Sequence, residues 1–276
     1  MIDDNSVTES TVIKYALVFG GTGAIGGACS LLLAQEGFGI LSVYRESRGA
    51  LKGKQKALDL IDGCAMDFKK LNINASDQSN ENRILTFIEH SLMSNSKNAR
   101  IALVLDAIAD ANVNKLFDEN ERSMNTLAVE DISRTISAMG TATYRWARLL
   151  KKRNLLSDDC RIIGLTSVGV EKCLNGYAAT ASAKSVMETL SRYMAVELKG
   201  SRMTSNIIRS GIIPTEAFLK LPSADLIATK ALEQHPKGRL TRPEDIANVV
   251  SLLMRPEADW INGTIIDVDG GEHLMG

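Results

Sequence analysis

The run Val12 to Phe19, VIKYALVF, is β-branched and aromatic and stops abruptly at Gly20-Gly21. The stretch GGTGAIGG (Gly20 to Gly27) then leads into ACSLLLAQEGF, where Ala28, Leu31, Leu32 and Gln35 recur at helical spacing and Gly37 marks the end. A strand, a glycine turn and a helix in that order leave few folds open, because this is the context that a dinucleotide site requires. Glycines let the backbone approach a pyrophosphate, and the helix N-terminus presents free N–H donors at the positive end of its dipole. Many tight strand-to-helix connections need glycine for steric reasons alone. The position of this turn, directly after the first strand, is what favours the cofactor reading.

The pattern continues as strands alternating with helices. Gly39 to Tyr44 is a second apolar run; it ends in Arg45, with Arg48 just beyond and Glu46 the only acid close by. In dinucleotide folds an acid at this strand end takes the ribose hydroxyls, whereas arginine accommodates a 2′-phosphate. NADPH is therefore expected rather than NADH, the competing reading being two solvent-facing arginines. Leu51 to Leu71 mixes helix and short strand, Asn72-Ile73 falls where a third strand ends, and Asn82 to Met93 is an amphipathic helix. Ile101 to Ala109, IALVLDAIA, reads as a central parallel strand buried on both faces. Asp106 inside it needs partners: it either faces the cofactor cleft or accepts backbone N–H groups as a structural residue, and the second reading is favoured. Asp110 to Glu130 is long and polar, a substrate-covering loop by expectation.

After that loop, Ile132 to Lys151 is predicted as one helix with Ile136, Met139, Thr143, Trp146 and Leu150 on a stripe, for core or subunit contact rather than ligand contact. Arg202 to Ile208 is a strand followed by the turn Ser210 to Thr215, Phe218 to Gln234 has the composition of a flap, Pro243 opens a helix, and Ile265 to Val268 is a last strand. The expectation is a single α/β domain over residues 12–276, a doubly wound parallel sheet with helices on both faces, preceded by a flexible tail over residues 1–11.

The chemistry concentrates in Ser167 to Lys184, SVGVEKCLNGYAATASAK, between the apolar run Arg161 to Leu165 and the helical pattern Ser185 to Leu198. Tyr177 and Lys184 are seven residues apart. On a helix that is about two turns, roughly 10 Å, with both side chains on one face. A nearby ammonium favours a more acidic phenol, suited to hydrogen-bonding an oxyanion or passing a proton. The bland alternative is a surface tyrosine and a solvated lysine.

Charge narrows the partners. With 32 basic and 33 acidic residues there is no electrostatic footprint for nucleic acid or an anionic membrane, and a small molecule or a carrier is expected instead. Cys29, Cys64, Cys160 and Cys173 have neither paired nor metal-ligand spacing, so no metal is expected, and the default is a reducing cytosol with free, mostly buried thiols. The polar, acidic start and the lack of a long apolar segment point to a cytoplasmic protein.

From about Ile13 to Gly271 the chain resembles the short-chain dehydrogenase/reductases, a Rossmann-type family. GGTGAIG resembles the family's T-G-x-x-x-G-x-G turn, and RPEDIANVVSLLM and INGTIIDVDGG resemble its C-terminal half. The departures are informative: Phe19 stands where the turn usually has Thr, Ala24 replaces a Gly, Asp106-Ala107-Ile108-Ala109 replaces N-N-A-G, and Ser137 falls where a catalytic Asn is common. Thr180, thirteen residues after Ser167 and four before Lys184, occupies the usual tyrosine position, with Tyr177 three residues earlier. Tyr-x6-Lys in this fold resembles the NADPH-using enoyl-acyl-carrier-protein reductases.

That resemblance implies reduction of the double bond of an enoyl thioester carried on acyl carrier protein or coenzyme A, in fatty-acid or polyketide-type synthesis, by a homotetramer. It implies that Tyr177 meets the enolate, Lys184 binds the nicotinamide ribose, and Ser167 is a further substrate contact. Gly20, Ala24, Ile25 and Gly26 would line the pyrophosphate, Asn72 and Ile73 the adenine, Ile213 the carboxamide and Thr215 a phosphate. Thr22, Ala107 and Gly211 are further cofactor positions. The alternatives are a ketoreductase or hydroxy-group dehydrogenase, against which Thr180 argues, and a catalytically quiet NADPH-binding regulator.

Overall fold

The computed structural model describes residues 13–95, 98–110, 112–117, 126–221 and 224–275. The expected tail over residues 1–11, the first residue of the expected first strand and much of the expected substrate-covering loop lie outside the described residues.

Among the described residues seven strands form one parallel sheet: β1 Lys14–Phe19, β2 Gly39–Tyr44, β3 Phe68–Asn72, β4 Arg100–Asp106, β5 Leu156–Ser167, β6 Thr204–Ser210 and β7 Ile265–Val268. Their spatial order is β3-β2-β1-β4-β5-β6-β7. The order reverses between β1 and β4, which opens a crevice at the carboxyl ends of those strands. The helices are α1 Ala24–Gln35, α2 Arg48–Cys64, α3 Glu81–Asn95, α4 Val129–Thr135, α5 Ala142–Lys152, α6 Ala178–Glu197, α7 Ala224–Gln234 and α8 Pro243–Leu253.

Alternation along β1 divides the core. Tyr15, Leu17 and Phe19 pack with Ile84, Ile88, Trp146 and Leu150 from α3 and α5, while Ala16 and Val18 pack with Cys29, Leu33, Ile246 and Val250 from α1 and α8. Phe19, unexpected at the mouth of the glycine turn, is fully buried and stacks on Trp146 with ring centroids 4.8 Å apart. Its ring extends the core up to the edge of the cleft.

Two expectations are corrected, on a helix and on the thiols, and a third, the flap, is given its form. The helix over Ile132 to Lys151 is interrupted by one turn of π-helix, Ile136–Gly140, between α4 and α5. Gly140 lies so close to α6 that a Cβ there would sit 2.8 Å from the Ala183 carbonyl oxygen, and this contact seats the segment carrying Lys184. The flap over Phe218 to Gln234 consists, in its described part, of a 3-10 turn at Phe218–Lys220 and the helix α7. Of the four thiols, Cys29 and Cys160 are buried and Cys64 and Cys173 exposed, all free. Among the described residues no helix is long and apolar enough to cross a membrane.

Candidate active site

The glycine turn is built by close backbone approach. Gly20 has φ +80°, and a Cβ there would lie 2.6 Å from the Ala107 carbonyl oxygen at the end of β4. A Cβ on Gly26 would run into the Gly20 carbonyl. Gly23 caps α1 in an extended conformation with no side-chain cap, so the first N–H groups of the helix are left for another acceptor. A cavity of about 370 Å³ opens over this turn, lined by Gly20, Thr22, Ala24, Ile25, Gly26, Ile73 and Ala107 among others.

Two predicted cofactor residues line neither this cavity nor the one that continues it. Arg48 is the exposed first residue of α2 and lines no part of the cleft. Asn72 is exposed at the end of β3, and its side chain clasps the Glu46 backbone, donating to the carbonyl at 2.9 Å and accepting the N–H at 2.9 Å. Asn74 and Ala75 line the cavity in its place. Arg45 does line it, with an exposed guanidinium 3.4 Å from Asp110.

Glu46 and Lys54 were not foreseen as part of this wall. Glu46 accepts from Thr22 Oγ1 at 2.8 Å and from Lys54 Nζ at 2.5 Å, and Lys54 also stands 3.5 Å from Glu216. Burial opposes ionisation of Glu46, but the Lys54 and Thr22 hydrogen bonds outweigh it and hold the carboxyl below its usual range. Glu46 precedes the N-cap of α2 and Lys54 lies about two turns inside the helix, beyond the reach of the capping patterns a sequence displays.

The second cavity, about 410 Å³, is lined by Ser167, Tyr177, Thr180, Lys184, Gly211, Ile213 and Thr215, with apolar side chains including Leu174, Phe218 and Ile227. It shares Ile25, Arg45, Ala107 and Thr215 with the first, so the two run into one cleft. Met139 also reaches it, against the expectation of a purely structural stripe.

Ser167 ends β5; its Oγ accepts the Gly169 N–H at 3.0 Å and the Tyr177 hydroxyl at 3.2 Å. Tyr177 is the residue that caps α6, following Gly176 at φ +73°, so the aromatic ring folds back over the turn after β5. Gly169 makes room for it: a Cβ there would be 2.5 Å from the ring. Burial pushes the Tyr177 phenol up, opposed by the Ser167 hydrogen bond. The expected acidification by Lys184 is thus reversed, because the phenol is withdrawn from water and its hydrogen-bond partner is a neutral hydroxyl.

Lys184 is buried, and burial pulls its ammonium down against the opposing charges of Asp106 and Glu188. Asp106 accepts the Thr143 hydroxyl at 2.7 Å and the Ile108 N–H at 3.1 Å, the structural role favoured from its sequence context, and burial pushes its carboxyl up. The charges of Asp106 and Glu188 favour the ammonium form of Lys184, whose positive field reaches the cavity that it lines with Tyr177 and Thr180.

At the C-terminal end, Asp267, Asp269 and His273 bring ligand atoms within 4.8 Å of one another, although no spacing in the sequence suggested it. Their valences are taken: Arg209 forks the Asp267 carboxylate, and Asp269 accepts from the Gly271 and His273 backbone and from His273 Nδ1.

The arrangement is that of a reductase cleft, a phosphate-ready turn running into a pocket that brings the half-buried Ser167 and Tyr177 together with the buried Lys184. The family model described as enoyl-(acyl carrier protein) reductase matches residues 21–273. The chain belongs to that family, one of the short-chain dehydrogenase/reductases. An NADPH-dependent aldehyde reductase of Arabidopsis thaliana, chloroplastic, is 26% identical over 264 residues, covering 94% of this chain and 93% of the relative. A 3-oxoacyl-[acyl-carrier-protein] reductase of Vibrio cholerae is 26% identical over 262 residues, covering 95% and 98%. The crystal structure of an angucycline C-6 ketoreductase with bound NADP superposes with a TM-score of 0.80 at 19% identity, covering 95% of this chain and 96% of that one.

Proposed function

We propose that this chain reduces a carbonyl group, a ketone or an aldehyde, with NADPH. The observation that carries the reading is the 3.2 Å approach of the Tyr177 hydroxyl to Ser167 Oγ. Although displaced by three residues from the usual position, the phenol comes back to the serine, and two hydroxyls converge on one point. When a substrate oxygen draws the Tyr177 hydrogen away from Ser167, two neighbouring hydroxyl donors suit a single oxygen that gains charge, as a carbonyl oxygen does when hydride adds to its carbon. The aldehyde and 3-oxoacyl reductases among the relatives support the same chemistry.

The cofactor fits the residues present. The uncapped N-terminus of α1 and the Cβ-free turn at Gly20 and Gly26 suit a pyrophosphate, Arg45 suits a 2′-phosphate, and Thr22, Ile73, Ala107, Gly211, Ile213 and Thr215 wall the remainder. When bound, NADPH supplies the hydride. Tyr177 keeps its proton at neutral pH because burial raises its phenol, and it donates that proton to the new alkoxide. Ser167 holds the same oxygen, and Lys184 binds the ribose and maintains the positive field.

A second reading keeps one specific observation in its favour. The Tyr-x6-Lys spacing matches enoyl reduction, in which charge builds on a thioester oxygen further from the nicotinamide. Oxidation of NADPH, followed optically with ketones, aldehydes and 3-ketoacyl thioesters beside the matching 2-enoyl thioesters, separates the two. Turnover of the carbonyl compounds is expected, with Tyr177→Phe lowering kcat/KM by roughly 10²–10⁴ while NADPH binding persists. Turnover of the enoyl series alone overturns the carbonyl reading.

A further inference from the structure

Among the polar residues of the 410 Å³ cavity other than Ser167, Tyr177 and Lys184 are His235 and Glu272. His235 follows α7, and Glu272 begins the C-terminal turn Glu272–Leu274; both line the cavity. His235 Nδ1 accepts the Lys237 N–H at 3.1 Å, which puts the ring proton on Nε2. That Nε2 is buried without a hydrogen-bond partner, on a side chain only 2% exposed, and stands 3.9 Å from Glu272 Oε2. Glu272 is fixed from the other side: Oε2 accepts the Ile212 N–H at 3.0 Å, and Gly211 leaves the room, since a Cβ there would lie 2.7 Å from that oxygen.

The unpartnered His235 N–H is costly in a cavity also lined by Leu174, Phe218, Leu221 and Ile227, whereas Glu272 has the Ile212 N–H on one oxygen. Burial pushes the Glu272 carboxyl above its usual range, with the Ile212 N–H opposing. The separation of 3.9 Å is too long for a direct hydrogen bond, and an oxygen at the cavity side of the gap would bridge the two groups once a small turn of the His235 ring exposes Nε2.

We propose that Glu272, with His235 behind it, recognises a hydroxyl group carried elsewhere on the carbonyl substrate. This rests on the carbonyl-reductase reading of the same cavity. A hydroxyl both donates and accepts, so it gives its hydrogen to Glu272 and accepts from His235 Nε2–H, satisfying both groups at once. An unsubstituted acyl chain does neither. The substrate class is therefore a hydroxylated, otherwise largely apolar ketone or aldehyde, and plain fatty-acyl thioesters are disfavoured.

The probes are α-tetralone and its phenolic analogues with the hydroxyl at each ring position, assayed with wild type, Glu272→Gln, Glu272→Leu and His235→Asn. At least one phenolic ketone is expected to exceed the parent by about tenfold in kcat/KM, mainly through KM. That ratio should fall towards one in Glu272→Leu and His235→Asn. Glu272→Gln, which still accepts the Ile212 N–H and so preserves the turn, should keep part of it. A wild-type ratio near one, or a ratio that survives Glu272→Leu, overturns the proposal. If no tetralone is turned over, the carbonyl reading fails for this class on its own. Calorimetric binding of the same ketones then decides the hydroxyl question: a preference in Kd that Glu272→Leu abolishes upholds it, and no preference overturns it.

Discussion

The 370 Å³ cavity over the glycine turn and the 410 Å³ cavity beyond it are walled by different kinds of structure. The first is made at the ends of β1, β2, β3 and β4, the start of α1 and the loop after β6; close backbone approach sets its glycine turn, with the Thr22, Glu46 and Lys54 side chains beside it. The second is made by the turn after β5, the loop after β6, the end of α7 and the C-terminal turn, and its polar points are side chains: Ser167, Tyr177, His235 and Glu272. A turn shaped by backbone keeps its form whatever side chains surround it, provided that its glycines stay. A pocket shaped by side chains is retuned one residue at a time, which is what a substrate site requires.

The same glycine-to-alanine change, made once in each wall, separates the two. In Gly26→Ala the new Cβ meets the Gly20 carbonyl, and backbone on both sides means that neither can yield. NADPH affinity should fall on the order of a hundredfold, with stability lower by ~1–3 kcal/mol. In Gly169→Ala the Cβ falls 2.5 Å from the Tyr177 ring, which has to swing away from Ser167. There kcat should fall by roughly a hundredfold while NADPH affinity holds, because an ångström of misplacement acts on the chemistry alone. Fluorescence titration and steady-state kinetics on both variants check this; loss of cofactor binding in Gly169→Ala would break the division.

A smaller effect divides the two arginines of the first cavity. Arg45 lines the cleft and Arg48 does not. Arg45→Ala should raise the NADPH dissociation constant about tenfold and leave that for NADH near its wild-type value, as befits one charge-assisted phosphate contact. Arg48→Ala should change either by less than roughly twofold. The Arg45–Asp110 pair is exposed, at 3.4 Å, so neither variant should shift Tm appreciably. Equal effects of the two substitutions would mean that α2 turns towards the cofactor on binding.

The contrast between the cavities also explains what was legible in the sequence. Runs such as IALVLDAIA and the glycine turn declare themselves because strand and helix periodicities repeat over many residues. The cleft that those elements create followed from their order, and most predicted cofactor positions line it. Arg48 and Asn72 do not, because a residue next to a strand end can face the cleft, the solvent or its neighbour's backbone, and Asn72 takes the last of these. The π turn at Ile136–Gly140 has no periodic signature; it follows from the packing of Gly140 on Ala183. Likewise β5 begins at Leu156, earlier than its apolar run, since Ser157, Asp158 and Asp159 hide the strand in polar residues. Glu272 and His235 lie far apart in sequence on unrelated elements, and only the folded chain brings them to one cavity.

The smallest expected effect is one of persistence. If Lys184 acidified Tyr177, as the spacing alone suggested, proton donation would fade through the mildly alkaline range. The buried phenol is instead raised above its ordinary value of about 10. An acid that must be protonated to act is fully competent below its folded pKa and is lost only as pH rises through it, so a raised pKa moves the loss to higher pH. With saturating NADPH and ketone, kcat at pH ~9.5 should stay within about twofold of its value at pH 7. A decline beginning near pH 8 would mean that the Lys184 charge, and not burial, governs the phenol in the loaded cleft. The substrate cavity would then be set, like the cofactor cavity, by a fixed feature of the fold rather than by how deeply one ring is packed.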